Sequence, residues 1–135
     1  TLWQKVICLS ILFIGLIIGY NKSIASNIPD GFEKVRCTCY LPTGNKTADG
    51  TVPYEGIIAS NSEHIGDIAL LYTEDMVYIG MYEVRDLGGH KDIKNGTRID
   101  MFCETEESMK EFISTYGDYV LIKWIKAEGW KWNTK

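Results

Sequence analysis

The chain of 135 residues has little positive charge and little histidine, and both shortages restrict its possible partners. Its 14 lysines and arginines face 18 aspartates and glutamates, which gives a net charge of −4 at pH 7. This acidic balance argues against nucleic acid or another polyanion as the ligand. The two histidines are isolated, and the cysteines lack the second close pair that structural zinc sites show. We therefore expect no metal and no other cofactor.

The chain also lacks an apolar run of the length that usually crosses a membrane, which is about 20 residues. Its longest run extends from Val6 to Tyr20, after the basic Lys5, and the small residues Ser23 and Ala25 follow. This pattern predicts a secretory signal peptide over residues 1–25 that is cleaved after Ala25. The alternative is an uncleaved membrane anchor. We expect contact with a membrane only if the segment is retained.

The part that follows residue 25 has the size of one small domain. Without Lys5 and Lys22, 12 basic side chains remain against 18 acidic ones, a net charge of −6. About 110 residues are left, enough for one modest hydrophobic core. We expect a linker over residues 26–34, a single domain over residues 35–128 and a short tail over residues 129–135.

Short alternating or apolar segments, separated by polar turns, predict six or seven β-strands. They are Glu33 to Leu41, Gly56 to Ser60, Asp67 to Tyr72, Met76 to Ile79, Tyr82 to Arg85, Arg98 to Cys103 and Tyr119 to Ile125. A single helix is predicted from Glu104 to Tyr116, with Thr105 as its cap, an apolar stripe of Met109, Phe112 and Ile113, and Gly117 as its stop. This content indicates an all-β fold, a small barrel with one short helix.

Three cysteines and three tryptophans leave alternatives open. Cys37 and Cys39 lie two residues apart on one predicted strand and would make a poor disulfide with each other. Either Cys103 pairs with one of them or all three thiols stay reduced. Trp124, Trp130 and Trp132 either form a face on which sugars stack, or Trp124 belongs to the core and the other two to a loosely packed tail.

Two aspartates around a glycine-rich turn are the strongest chemical signal in the chain. Asp86 precedes Gly88 and Gly89, and Asp100 follows in the alternating segment Arg-Ile-Asp-Met-Phe. Alternation places Ile99 and Met101 on one face of a strand and Asp100 on the other. A carboxylate on a rigid strand beside a second carboxylate is suited to acid–base chemistry. The alternative is that Asp86 ends a strand and Asp100 is a solvated outward residue.

Several motifs occur in an order that resembles a known family. A Thr-Ala-Asp-Gly-Thr loop is followed by a short Ile-Ala strand, Asp-x-Gly-Gly, Ile-Lys-x-Gly, Arg-Ile-Asp-x-Phe, an acidic helix and a final Val-x-Ile strand. This order resembles the three-aspartate (3D) domain of Gram-positive cell-wall proteins, which is related to the catalytic barrel of membrane-bound lytic transglycosylase A. The resemblance covers roughly Val35 to Glu128. It implies a six-stranded double-psi β-barrel and a peptidoglycan substrate.

The resemblance also implies roles for individual residues. Asp86 matches the second family aspartate, and Asp100 matches the third, which the family uses as its catalytic acid. Asn61 stands where the family has its first aspartate, and Asp67 lies near enough in sequence to supply a compensating carboxylate. The loop from Asp86 to Asp100 is about three residues longer than usual for the family. For the positioning of sugar, the candidates are Asn61, Thr47, Asp49 and Lys94; for the last three the alternatives are turn-forming residues and a solvated charge.

These patterns predict an exported lytic transglycosylase that cleaves O-glycosyl bonds in peptidoglycan glycan strands. Asp100 would act as a single general acid and base, for which burial and a like charge on Asp86 must raise its pKa. The replacement of the first aspartate by Asn61 is more tolerable in that reaction than in ordinary glycoside hydrolysis, which uses two carboxylates. The first alternative is a catalytically weak peptidoglycan-binding or accessory module of the same fold. The second is a secreted interaction domain unrelated to sugars.

Overall fold

The computed structural model describes residues 27–127. The predicted signal peptide and the predicted tail, which contains Trp130 and Trp132, lie outside the described residues. Within that range, the chain forms six strands and two helices. They are β1 Glu33–Tyr40, β2 Ile57–Ser60, β3 Ile68–Tyr72, β4 Tyr78–Leu87, α1 Lys91–Lys94, β5 Arg98–Phe102, α2 Glu106–Tyr116 and β6 Tyr119–Ile125.

The six strands form one closed barrel in the order β1-β5-β2-β4-β3-β6. Two neighbouring pairs, β1–β5 and β2–β4, are parallel, and the other four pairs are antiparallel. Closure removes the free sheet edges that would otherwise expose unpaired backbone groups. The prediction of a small, six-stranded all-β barrel is therefore confirmed.

The strand order contains an internal two-fold relation. If β1, β2 and β3 are exchanged with β4, β5 and β6, every strand keeps equivalent neighbours around the barrel. The two parallel pairs exchange with each other, and the pairs β2–β5 and β3–β6 each map onto themselves. Because β5 lies between β1 and β2, the two halves of the chain interlock, as the double-psi arrangement implies.

The core fills the interior of the barrel with aliphatic side chains. All four residues of β2 are buried, and β5 alternates as predicted, with Ile99 and Met101 buried and Asp100 partly exposed. Cys37 and Cys103 belong to the same core, and Cys39 packs against it. The three cysteines are free thiols. The remaining members of the buried cluster are Val35, Ile58, Ala69, Leu71, Val84, Val120 and Ile122.

One long strand replaces two predicted short ones. The segments Met76 to Ile79 and Tyr82 to Arg85 were expected to be separate, but β4 runs unbroken over ten residues. Gly80 suggests an interruption because glycine weakens strands. In the barrel its missing side chain makes room for Tyr82, whose ring carbon Cε2 would lie 3.1 Å from a Cβ at position 80.

The helices also differ in part from prediction. The turn after Gly89 contains the short helix α1, which periodicity does not reveal because it has only four residues. In contrast, α2 begins after Thr105, whose side chain caps it, and ends at Gly117, which has a φ of 74°. Met109 and Phe112 pack against the core, whereas Ile113 of the predicted stripe is 40% exposed. Neither helix of residues 27–127 has the length and apolar character needed to span a membrane.

Candidate functional site

Asp86 and Asp100 lie on either side of one residue of β2. Ala59 pairs with Asp86 on the parallel strand β4 and with Asp100 on the antiparallel strand β5. The backbones of the two aspartates are therefore about two strand spacings, ~10 Å, apart along the barrel wall. The pairing of β2 with β4 shifts register between Ile58 and Ala59, next to this position. The local twist of such a bulge re-aims side chains at the end of a strand.

Both carboxylates line one open groove with a volume of about 260 Å³. Ala59 forms its floor between the aspartates, and Gly88 and Gly89 contribute backbone rather than side chains. The groove is completed by Tyr40, Thr43, Leu87, His90, Ile93 and Arg98. The structure thus brings the two predicted catalytic aspartates together in one open groove.

Asp100 is held in an environment that favours its protonated form. Partial burial raises the pKa of this carboxyl, and the negative charge of Asp86 raises it further. Two effects oppose the shift without cancelling it: the hydroxyl of Thr38 donates to Asp100 Oδ1 at 2.9 Å, and Arg98 supplies a positive charge. Arg98 Nε also donates to Thr38 Oγ1 at 2.7 Å, which fixes the direction of the hydroxyl.

Asp86 is instead surrounded by hydrogen-bond donors. Its Oδ1 accepts from the backbone N–H of Ala48 at 3.0 Å and from that of Leu87 at 2.9 Å. Its Oδ2 accepts from the hydroxyl of Tyr40 at 3.2 Å. Burial, followed by the charge of Asp86, raises the pKa of Tyr40, so the phenol remains a donor at neutral pH. Three donors suit an ionised carboxylate, which only accepts hydrogen bonds.

Thr47 and Asp49 shape the loop that reaches Asp86. Thr47 is buried, and its Oγ1 lies 2.6 Å from Asp49 Oδ1 and accepts from the N–H of Thr51 at 3.1 Å. Asp49 also contacts Arg85 Nη1 at 3.3 Å. Burial would raise the pKa of Asp49, but hydrogen bonds from Thr47 and Thr51 and the charge of Arg85 outweigh it and lower the pKa. Both side chains are therefore occupied within the loop, and they present Ala48 N–H to Asp86.

Asn61 and Lys94, the other two predicted sugar-positioning residues, do not line the groove. Asn61 Oδ1 accepts from the N–H of Glu63 at 3.2 Å, which closes a turn directly after β2. Its amide nitrogen faces Gly96, where an added Cβ would lie 3.4 Å from Nδ2. Lys94 is exposed at the end of α1. The side-chain oxygen of Asn61, the residue after β2, is thus used in its own turn.

Asp67 and Trp124 form a separate cluster and supply nothing to the groove. Asp67 is buried and accepts from His64 Nδ1 at 3.0 Å, Lys126 Nζ at 3.0 Å and the N–H of Ala127 at 3.1 Å. The ring of Trp124 stacks on His64 with centroids 3.6 Å apart and planes 9° apart. Asp67 is therefore not a compensating carboxylate for Asn61. It ties the end of β6 to the turn before β3.

Three residues that contact the two aspartates or modulate their charge were missed in the sequence: Thr38, Tyr40 and Arg98. Arg98 could have been found, because it lies two residues before Asp100 and so on the same face of β5. Thr38 and Tyr40 act through the parallel pairing of β1 with β5, in which Thr38 is the register partner of Asp100. That pairing joins residues 62 positions apart, and no local pattern specifies it.

Comparison of the chain with known proteins identifies no relative. No protein-family model matches the chain, and no curated protein matches it either. Within residues 27–127 no group of three histidine, cysteine or acidic side chains is arranged to hold a metal ion. The titratable side chains that line the groove are Tyr40, Asp86, His90, Arg98 and Asp100, and the pKa of Asp100 is raised.

Proposed function

We propose that the protein is an exported lytic transglycosylase that cleaves glycosidic bonds in peptidoglycan, with Asp100 as its general acid and base. The observation that carries the proposal is the placement of Asp86 and Asp100 on either side of Ala59 in one open groove. The resemblance of the motifs around these residues to the 3D domain supports the choice of substrate. Peptidoglycan lies outside the cytoplasmic membrane, which agrees with the predicted signal peptide.

In the first step, protonated Asp100 delivers its proton to the glycosidic oxygen as the bond from C1 of the muramyl sugar breaks. Positive charge develops on that sugar in the transition state. The carboxylate of Asp86, held by Ala48 and Tyr40, contributes a fixed negative charge in the same groove. In the second step, Asp100 removes the proton of the C6 hydroxyl, whose oxygen bonds to C1 and closes a 1,6-anhydro ring. The proton gained equals the proton delivered, so Asp100 is regenerated.

Arg98 and Thr38 keep Asp100 ready for both steps. The hydroxyl of Thr38 fixes Oδ1, so the remaining oxygen of Asp100 is the one that carries the transferable proton. Arg98 partly offsets the effect of burial on the pKa. A carboxyl that must act as acid and then as base needs a pKa between its ordinary value of about 3.9 and the working pH.

The observation that favours the alternative, a glycan-binding module with little catalysis, is the local engagement of Asn61. The side chain of Asn61 bonds to the backbone N–H of Glu63 and does not line the groove. Under this alternative the groove would hold a sugar through Asp86, Asp100 and Arg98 without breaking a bond.

Mass spectrometry of the soluble products from purified peptidoglycan tests the proposal, with the full chain run beside Asp100→Asn. We expect anhydro-muropeptides from the wild type and a loss of at least about 100-fold in the variant. Asp118→Asn is the matched control, because Asp118 is exposed and lies outside the groove. Its activity should equal that of the wild type.

The other outcomes separate the candidates. Products with reducing ends would identify a hydrolase and contradict ring closure by Asp100. No product from either protein, with both pelleting with insoluble wall, would exclude the enzyme and leave the binding module. A protein that stays in the supernatant and releases nothing would contradict both and favour an interaction domain unrelated to sugars.

A further inference from the structure

A second cavity of about 340 Å³ adjoins the groove of the two aspartates. Thr43 lines both, so the cavity continues the groove along the loop between β1 and β2. Its apolar walls come from Pro42, Val52 and Pro53, with buried Phe102 at its base. Val52 is 69% exposed, the highest value among the large apolar side chains of residues 27–127.

Charge distinguishes this cavity from the groove beside it. The groove is dominated by Asp86 and Asp100, which face the sugar in the proposed reaction. The second cavity instead has one cation, Lys46, and one carboxylate, Glu104, as its charged side chains. Aliphatic walls with a single charge of each sign suit a short peptide that carries a carboxylate and an amine. They suit a neutral sugar less well, because sugars favour flat aromatic surfaces.

We propose that this cavity binds the peptide that branches from the glycan, with Lys46 paired to a peptide carboxylate. The inference rests on the proposed function, since it takes peptidoglycan as the polymer. In that polymer the peptide is attached to the muramyl sugar, the same sugar whose C1 bond is cleaved. The peptide of a sugar seated at Asp100 therefore branches close to the groove, and the cavity that shares Thr43 with the groove is the adjoining space.

The test compares peptidoglycan that carries its peptides with the same glycan after an amidase has removed them. The full chain is assayed on both polymers for product release and for binding by sedimentation. An exposed ion pair is worth up to about 1 kcal/mol, which corresponds to about fivefold. We expect the wild type to prefer the peptide-bearing polymer by up to about fivefold. Lys46→Glu should lose that preference and keep its rate on the stripped glycan, and Lys46→Arg should retain it.

Lys110→Glu provides the control for charge reversal alone, because Lys110 is exposed on α2 and outside both cavities. It should keep the wild-type preference. If the wild type binds and cleaves the two polymers equally well, the inference is overturned, whereas the proposed transglycosylase activity stands. An equal loss on both polymers in Lys46→Glu would also overturn the inference. If the wild type cleaves neither polymer, the binding ratio still decides the peptide site, and absence of binding to both contradicts this inference together with the proposed function.

Discussion

Asp100 combines partial burial with access to an open groove. Burial and the nearby charge of Asp86 raise its pKa, and Thr38 orients one of its oxygens. Ionisation of such a group costs more in the folded protein than in the unfolded chain. The carboxyl therefore reduces the stability of the fold at neutral pH, as is common for groups placed for catalysis rather than for packing.

Replacement of Asp100 by asparagine should consequently stabilise the protein at pH 7. Because the folded pKa is raised, the wild type loses stability as the pH increases from about 3.9, the ordinary aspartate value, through the raised one. Asparagine retains an oxygen that can accept from Thr38 and does not ionise. Thermal unfolding of both proteins across this pH range should show a higher melting temperature for Asp100→Asn at pH 7. The difference should shrink toward pH 4, and a difference independent of pH would contradict the assigned cause.

At the scale of elements, the approach of α1 to the barrel depends on a glycine. An added Cβ at Gly88 would lie 2.8 Å from Cβ of Ile93 and closer still to its branches, and Ile93 is the buried residue of α1. At Gly89 nothing lies within 4 Å of the same added atom. A side chain is thus sterically excluded at Gly88 but not at Gly89. The sequence Gly-Gly gives no indication of this difference.

Gly88→Ala should therefore destabilise the protein, by about 1–3 kcal/mol, because overpacking shifts α1 away from the groove. Gly89→Ala is the matched control and should be neutral or slightly stabilising. Denaturant unfolding of the two variants and the wild type measures the difference. If Gly89→Ala proves as costly as Gly88→Ala, steric contact with Ile93 is not the cause.

The attachment of β6 to the turn before β3 depends on a single carboxylate. Asp67 accepts hydrogen bonds from His64, Lys126 and Ala127, and its side chain is only 7% exposed. Asp67→Ala should cost about 1–3 kcal/mol, since it removes a buried acceptor and leaves the partly buried donors of His64 and Ala127 without their partner. Burial raises the pKa of Asp67, but these hydrogen bonds outweigh it and lower the pKa. Its contribution is thus present above about pH 3.9 and lost as the pH falls through the lowered value.

Unfolding of Asp67→Ala and wild type at neutral and acidic pH checks this dependence. The two free energies of unfolding should converge as the solution is acidified. Asp118→Ala, which removes an exposed carboxylate, should match the wild type throughout. A deficit of constant size at every pH would point to lost packing rather than to the charge of Asp67.

At the scale of the whole molecule, the sequence predicts what is local and misses what is distant. The alternation of Ile99, Asp100 and Met101 gives the inward and outward faces of β5 without any knowledge of its neighbours. The contact of Thr38 with Asp100 requires the parallel register of β1 with β5, which depends on closure of the barrel. Thr47, a sequence candidate for positioning sugar or for forming a turn, is buried in the structure and its hydroxyl bonds to Asp49 within the loop.

Barrel closure also sets an expectation for folding kinetics. Hydrogen bonds join Thr38 to Asp100 across 62 positions and Glu33 to Trp124 across 91. Proteins dominated by such distant pairings fold slowly because loop closure precedes the contacts that stabilise it. Refolding followed by stopped-flow tryptophan fluorescence should take about milliseconds to seconds. A relaxation complete within about tens of microseconds, as in the fastest-folding helical bundles, would conflict with this topology.

The two-fold strand order means that the same barrel could be formed by a chain that begins at a different strand. Because β1 pairs with β6, from Glu33 opposite Ile122 onward, the ends of the barrel segment are neighbours. The hairpin between β3 and β4 occupies the equivalent place in the other half. A circular permutant that joins β6 to β1 and opens this hairpin would run from β4 through to β3 and keep every pairing. The barrel is thus a ring with an interchangeable starting point, and both aspartates of the groove would then lie in the first half of the chain.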